Sequence, residues 1–206
     1  MEQFIRPGDT FHSLWNDDRL KVVDVSEEQL VVEFRHLPGR PRINREHFHH
    51  LFAQAFTILS GEATCMIDGE TFTASEGETV HVAVGQLHHD PRPIDEKLIY
   101  RSTIRFSENG LENGTRMVLW FATIFGLSYE DGIAPSGLPK NPLQLMVSLD
   151  ESVNGLKYDS PQIPGGVKPV LALGARIGRL FGYRPWYERH LPERNSTQPT
   201  RTSIAA

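Results

Sequence analysis

The densest chemistry in this 206-residue chain lies in Glu46-His47-Phe48-His49-His50-Leu51-Phe52-Ala53-Gln54. Successive side chains on an extended strand alternate in direction, so His47 and His49 project to one face, close enough for both imidazoles to hold one cation. Gln54 has the opposite parity counted straight from His49 and joins that face only if the chain kinks between His50 and Ala53. A third histidine comes from Gly77 to His88, where a strand bounded by glycines ends in a tight turn at Gly85 and delivers His88 back toward the interior. His50 and His89 each directly follow one of these histidines and are expected to face away, at the surface. His81, in mid-strand, is expected to be an interior polar group; its other reading is a hydrogen bond to a neighbouring histidine. Cys65 shares an apolar face with Ala63 and Ile67 and reads as a buried, inert thiol. Phe34, Phe56, Ile58 and Tyr100 either line a pocket beside the histidines or fill the core.

The elements that must position these groups are strands. Arg19 to Val25, Gln29 to His36, Gln54 to Leu59, Glu62 to Ile67, Thr79 to Val84 and Leu98 to Phe106 are short β-type runs separated by turn residues. Asp68-Gly69, flanked by alternating apolar residues, is a strong two-residue hairpin signal. No helical period interrupts residues 1 to 108, so the sheet has no crossover helices and should be antiparallel. After Glu108 the pattern changes. Asn113 to Leu127, Leu143 to Val153 and Val170 to Phe181 carry apolar residues at helical spacing, and Pro169 suits a first turn. Gly174 and Gly178, four apart, are expected to permit close packing of the last helix against the β-domain. The expected organisation is a β-barrel over residues 1–108, a helical extension over 109–190 and a polar, disordered tail over 191–206.

The histidine segments resemble the two motifs of the cupins. In the first, His-x-His is followed by glutamate and then glycine, and His47, His49, Gln54 and Gly61 stand at those positions with four and six intervening residues. In the second, Gly77, Gly85 and His88 match. Gln54 replaces the usual glutamate, Ala83 the usual proline and Arg92 the usual asparagine. The resemblance covers residues 8 to 106, and the segments Phe121 to Leu127, Asn141-Pro142-Leu143-Gln144 and Gly178 to Tyr183 resemble the helical extension of a group of single-domain bacterial cupins. It implies an all-β fold, a double-stranded antiparallel barrel of jelly-roll type with C-terminal α-helices. It also implies a divalent transition metal, Fe(II), Mn(II), Ni(II) or Zn(II), on His47, His49 and His88, with Gln54 as a fourth ligand. Three neutral imidazoles and a neutral amide would leave the metal's double charge uncompensated, so the ion is expected to be held more weakly than with glutamate, and an anionic ligand is favoured. Glu46 and Asp90, the nearest carboxylates in sequence, are expected to be solvated surface acids.

Composition narrows the function classes. Lys and Arg number 21 against 26 Asp and Glu, a formal charge of −5, which argues against a nucleic-acid partner. The local exception is Arg35, His36, Arg40, Arg42 and Arg45, read either as a solvated loop or as a cluster that steers an anionic small molecule. No window approaches a membrane span, the first residues lack the pattern of a secretory signal, and the single cysteine excludes an internal disulfide, so a cytoplasmic protein is expected. Two functions fit: a metal-dependent enzyme of dioxygenase or isomerase type acting on an organic acid or phenolic, and a non-catalytic module that binds a small ligand with a weakened or lost metal site. A homodimer, through strand edges or apolar helices, is expected by resemblance and by the general frequency of twofold assemblies.

Overall fold

The computed structural model describes residues 4–42, 46–161 and 164–192. The tail expected to be disordered lies outside the described residues from 193 onward, as does Arg45 of the basic cluster. Strands β1 (Thr10–His12), β2 (Arg19–Val25), β3 (Leu30–His36), β4 (Phe48–His49), β5 (Phe52–Ser60), β6 (Ala63–Ile67), β7 (Glu70–Ala74), β8 (Thr79–Val82), β9 (His88–Pro93) and β10 (Leu98–Phe106) precede the helices. Helices α1 (Gly110–Tyr129), α2 (Pro142–Asp150) and α3 (Val167–Leu180) follow, with the two-residue strand β11 (Tyr158–Asp159) between the last two.

The strands form a six-stranded sheet in the order β1-β2-β3-β10-β5-β8, a three-stranded sheet in the order β7-β6-β9, and the small pair β11-β4. Every pairing between strands is antiparallel. Side-chain alternation explains why the two larger sheets share a core. Phe52, Gln54, Phe56 and Ile58 are buried along β5 and Leu98, Tyr100, Ser102 and Ile104 along β10, where they join Ala63, Cys65 and Ala74 of the smaller sheet. Their apolar members form one continuous core cluster, and the first half of α1 adds Met117, Val118 and Leu119 to it. Asp68 and Gly69 both take positive φ, 51° and 87°, the conformation a two-residue hairpin requires.

The helices extend further than their apolar periods imply. The second continues as a π-helical turn through Glu151–Gly155. Asn141 caps α2 by accepting from the backbone N–H groups of Leu143 and Gln144, and Pro142 occupies the first helical position, where a missing N–H costs nothing. The expectation for Gly174 and Gly178 is corrected: their bare faces admit Met146, and Val147 with the Leu143 carbonyl, so α3 packs closely on α2 and not on the sheets. On its other side Val170, Leu173, Ile177, Leu180 and Phe181 are exposed. No helix among the described residues is long and apolar enough to cross a membrane.

The segment that carries Arg189 and His190 is tied back to α1. Arg189 Nε and His190 Nε2 each lie 2.8 Å from Glu130 Oε1, and Gly126 leaves room for the His190 ring. The hydrogen bond from Arg189, aided by His190, holds the Glu130 carboxyl at about 2, below its ordinary 4.5. A carboxyl with a lowered folded-state value adds stability above its ordinary value and loses it as the pH falls toward the lowered one. Glu130→Gln is therefore expected to flatten the fall in thermal midpoint between about pH 4.5 and 2 relative to the wild type. Gly61 has φ +88°, and a Cβ there would stand 2.6 Å from the Lys97 carbonyl oxygen. Gly61→Ala should cost about 2 kcal/mol or more in denaturant unfolding; an unchanged midpoint would show that the β5–β6 turn tolerates a side chain.

Candidate metal centre

A reciprocal pair of backbone hydrogen bonds builds this site. The N–H of His47 donates to the His88 carbonyl and the N–H of His88 donates to the His47 carbonyl, both at 2.9 Å. An antiparallel pair bonded in this way sets its two side chains next to each other on one face. The ring centroids of His47 and His88 are 4.4 Å apart, and His49, two residues along, places its ring 4.9 Å from His47 and 4.6 Å from His88. One nitrogen from each of the three lies within 4.8 Å of the others.

The turn that delivers His88 is fixed by Asp68 of the β6–β7 hairpin. The Asp68 carboxylate accepts from the Leu87 N–H at 3.1 Å and from Gln86 Nε2 at 2.9 Å, while the Gln86 side-chain oxygen accepts from Ala83 N–H. Gly85 turns through φ +79°, and its N–H donates to the His49 carbonyl. The expected kink also exists. Residues 50 and 51 break the chain between β4 and β5, which restores Gln54 to the interior. Its β5 neighbours on that face bracket it: Phe52 stacks on His49 at 4.0 Å and Phe56 lies 6.1 Å from His88. Gln54 Nε2 donates to Ser102 Oγ at 2.8 Å, which leaves its Oε1 without a hydrogen-bond partner among the described residues.

His49 and His88 are fully buried and His47 is 8% exposed. Burial, reinforced by the neighbouring rings, holds His49 well below the ordinary histidine value and lowers His88 to about 4. Both are therefore neutral at physiological pH, with lone pairs to offer. The Gln86 carbonyl lies 2.9 Å from His88 Nδ1 and holds the proton there, so the lone pair is on Nε2. Among the described residues neither nitrogen of His49 nor Nε2 of His88 has a hydrogen-bond partner. Orphaned buried polar atoms are costly, and a cation on these nitrogens would satisfy them together. The three buried histidines thus form a set that could hold a metal ion, and the donor chemistry fits a divalent transition metal.

The helical extension supplies what local spacing did not reveal. Strand β11 pairs with β4, Tyr158 opposite His49, and lays the Tyr158 ring 5.0 Å from His47, nearly parallel, and edge-on to His49 at 4.7 Å. Beside the cluster, with His47 on its wall, is a cavity of about 390 Å³ between the sheets and the helices. Trp120, Phe121, Phe125 and Val153 line its helical side; Phe34, His36, Arg42, Asp90 and Tyr100 line the other. Phe34 and Tyr100 are thus pocket residues as well as core, whereas Phe56 and Ile58 belong to the core cluster. No signal in the sequence marked Tyr158, a lone aromatic between polar residues.

The other candidates divide. His50 is exposed, as expected, and lies 3.4 Å from Asp159 Oδ2. His89 is buried at 7% exposure, contrary to expectation, and its Nδ1 lies 2.8 Å from the Asp90 carbonyl. His81 is exposed, not interior, since alternation along β8 turns Val80 and Val82 inward and His81 outward. Asp90 is half-buried on the cavity wall rather than solvated, while Glu46 is exposed at its rim. The Cys65 thiol is buried and pushed up to about 11, as an inert thiol should be. Within the basic cluster, Arg35 pairs with Asp17 at 3.0 Å.

No protein-family model matches the chain, and no curated protein matches its sequence. Solved structures do align with part of it. A conserved protein with a double-stranded β-helix domain from Klebsiella pneumoniae is 22% identical over 53% of this chain and 89% of its own, with a TM-score of 0.39. An RmlC-like cupin from Shewanella frigidimarina is 15% identical over 47% of this chain and 83% of its own, TM-score 0.38. A predicted oxalate decarboxylase from Thermotoga maritima is 16% identical over 43% of this chain and 80% of its own, TM-score 0.39. The chain's own antiparallel strand order, the core shared by two sheets and the histidines brought together from both segments establish a mostly antiparallel β-fold followed by C-terminal helices.

Proposed function

We propose that this protein is a metal-dependent enzyme acting on a small organic acid or phenolic, with His47, His49 and His88 as metal ligands and Gln54 as a weak fourth ligand or as a hydrogen-bonding neighbour. One observation carries the reading: three buried histidine side chains, with nitrogens of His49 and His88 orphaned among the described residues, sit beside a 390 Å³ cavity, and His47 belongs to both the cluster and the cavity wall. The bound ion would supply Lewis acidity or a place for dioxygen. The residues of the chain do the rest. Ser102 turns the Gln54 amide so that its carbonyl oxygen is free; Tyr158 and Phe52 cover the imidazoles and limit water around them; the aromatic side of the cavity suits a ligand with an apolar body. The neutral Gln54 amide favours a second reading, a ligand-binding module in which the ion is held loosely.

Elemental analysis of untagged protein is expected to find nearly one equivalent of Fe, Mn, Ni or Zn, lost in the His47→Ala/His49→Ala double variant. Absence of metal in the wild type after loading with each ion would sink the metal-dependent reading. Gln54→Glu adds the missing negative charge and should tighten metal binding by about tenfold, ~1.4 kcal/mol; unchanged affinity by competition with a chelator would remove Gln54 from direct ligation. Oxygen uptake or turnover with candidate acids supports the enzyme, whereas a ligand-dependent rise in thermal midpoint without turnover supports the binding module.

A further inference from the structure

Three polar side chains on the cavity wall form a chain that the metal site does not use. Asp18 Oδ1 lies 2.6 Å from His36 Nδ1, and His36 Nε2 lies 3.2 Å from the Tyr100 hydroxyl. All three are nearly fully buried, Asp18 at 6%, His36 at 5% and Tyr100 at 1% exposure, and all three line the cavity that has His47 on its wall. They come from separate elements: Asp18 from the β1–β2 loop, His36 from the end of β3, and Tyr100 from β10, which pairs with β3. Asn16 Nδ2 donates to Asp18 Oδ2 at 2.5 Å and fixes the carboxylate.

A carboxylate oxygen only 2.6 Å away repels a lone pair, so the proton of the His36 ring sits on Nδ1, although its N–H is not aligned with Asp18, and Nε2 is left as an acceptor. The Tyr100 hydroxyl must then donate to Nε2, which turns the lone pairs of its oxygen elsewhere. We propose that Tyr100 is the residue that takes a proton from, and returns it to, an enolisable carbonyl compound with an apolar body bound in this cavity, with His36 and Asp18 as its positioning residues. The proposal rests on the enzymatic reading of the site.

In the step, the C–H bond next to the carbonyl breaks and its proton passes to Tyr100 Oη. The proton already on Tyr100 moves along the hydrogen bond to His36 Nε2, and the new imidazolium is balanced by Asp18. The electron pair of the broken bond becomes the double bond of an enolate, its charge on the former carbonyl oxygen; the reverse sequence restores the ketone. Burial supports the resting state of the chain: it lowers His36 despite Asp18, and raises Tyr100 well above its ordinary value, so the ring is neutral and the phenol protonated. Asp90 and Arg42 face the same space, and Arg42 Nη2 lies 4.0 Å from Asp18 Oδ1. Trp120, Phe121 and Phe125 provide the apolar wall for the body of the ligand.

Phenylpyruvate is a suitable probe, since its benzylic protons enolise and its ring matches that wall. Zinc-loaded and metal-free protein are incubated with it in D2O, benzylic proton loss is followed by NMR, and affinity is read from the fluorescence of Trp15 and Trp120, which line the cavity. The wild type is expected to exchange the protons above the protein-free rate. Tyr100→Phe should lower the rate at saturation on the order of 100-fold with affinity and zinc content unchanged, and His36→Gln and Asp18→Asn should lower it less. Unchanged saturated exchange in Tyr100→Phe, or a loss of affinity alone, overturns the role of Tyr100. A wild type that binds zinc but neither binds nor exchanges phenylpyruvate also overturns it, without touching the metal site. Tyr100-dependent exchange by a protein that binds no zinc would support the relay and sink the metal-dependent reading instead.

Discussion

Two hydrogen bonds between the backbones of His47 and His88 govern the geometry of the histidine cluster. Alone each would contribute about 1 kcal/mol, but together they decide which residues become neighbours. They join the start of one strand segment to the start of another about forty residues later in the sequence. The register they impose sets His88 beside His47, and strand parity carries His49 to the same place. A slip of one residue would turn these imidazoles to the opposite face. The supporting details, Asp68 gripping the turn and Gly85 adopting a positive φ, protect that register.

Around this bridge the molecule divides its labour. The sheets supply buried nitrogens and the phenol of Tyr100, while the helices supply a hydrophobic roof. Helix α1 is amphipathic in an unusual sense: Val118 and Leu119 belong to the common core, while Trp120 and Phe121 are only partly buried there and face a space large enough for a ligand. The desolvated environment keeps His49, His88 and His36 neutral. One physical cause, burial, thus tunes both polar groups of the cavity region.

Much of this was legible in the sequence because it depends on local rules. Short β-type runs announced β3, β5 and β10, Asp68-Gly69 announced its hairpin, and the two-residue spacing of His47 and His49 announced a shared face. Parity allowed Gln54 onto that face only if a kink intervened, and the break at residues 50 and 51 supplies it. The failures have a common origin in tertiary context. Which face of β8 and of β9 is covered depends on what packs against it, a long-range property: His81 is exposed and His89 buried although each strand ends its sheet. Gly174 and Gly178 advertised close packing but not its partner. His36 looked like one more basic residue of a loop until Asp18 and Tyr100 were beside it.

Strand β11 is only two residues long, yet it places Tyr158 against His47 and His49. So short a strand has no stability of its own and persists only while the helical extension is docked. The histidine cluster is consequently a joint property of two parts of the chain that are far apart in sequence. Thermodynamic linkage then runs both ways: whatever occupies the cluster tightens the docking of the extension, and whatever loosens the extension weakens occupancy. In folding, the cluster should be among the last features to mature, completed only when residues near 158 return to a β-domain already assembled from residues before 107. An intermediate with its sheets complete would hold the three histidines with one side uncovered, and would bind ions with looser geometry and freer access for water than the native protein.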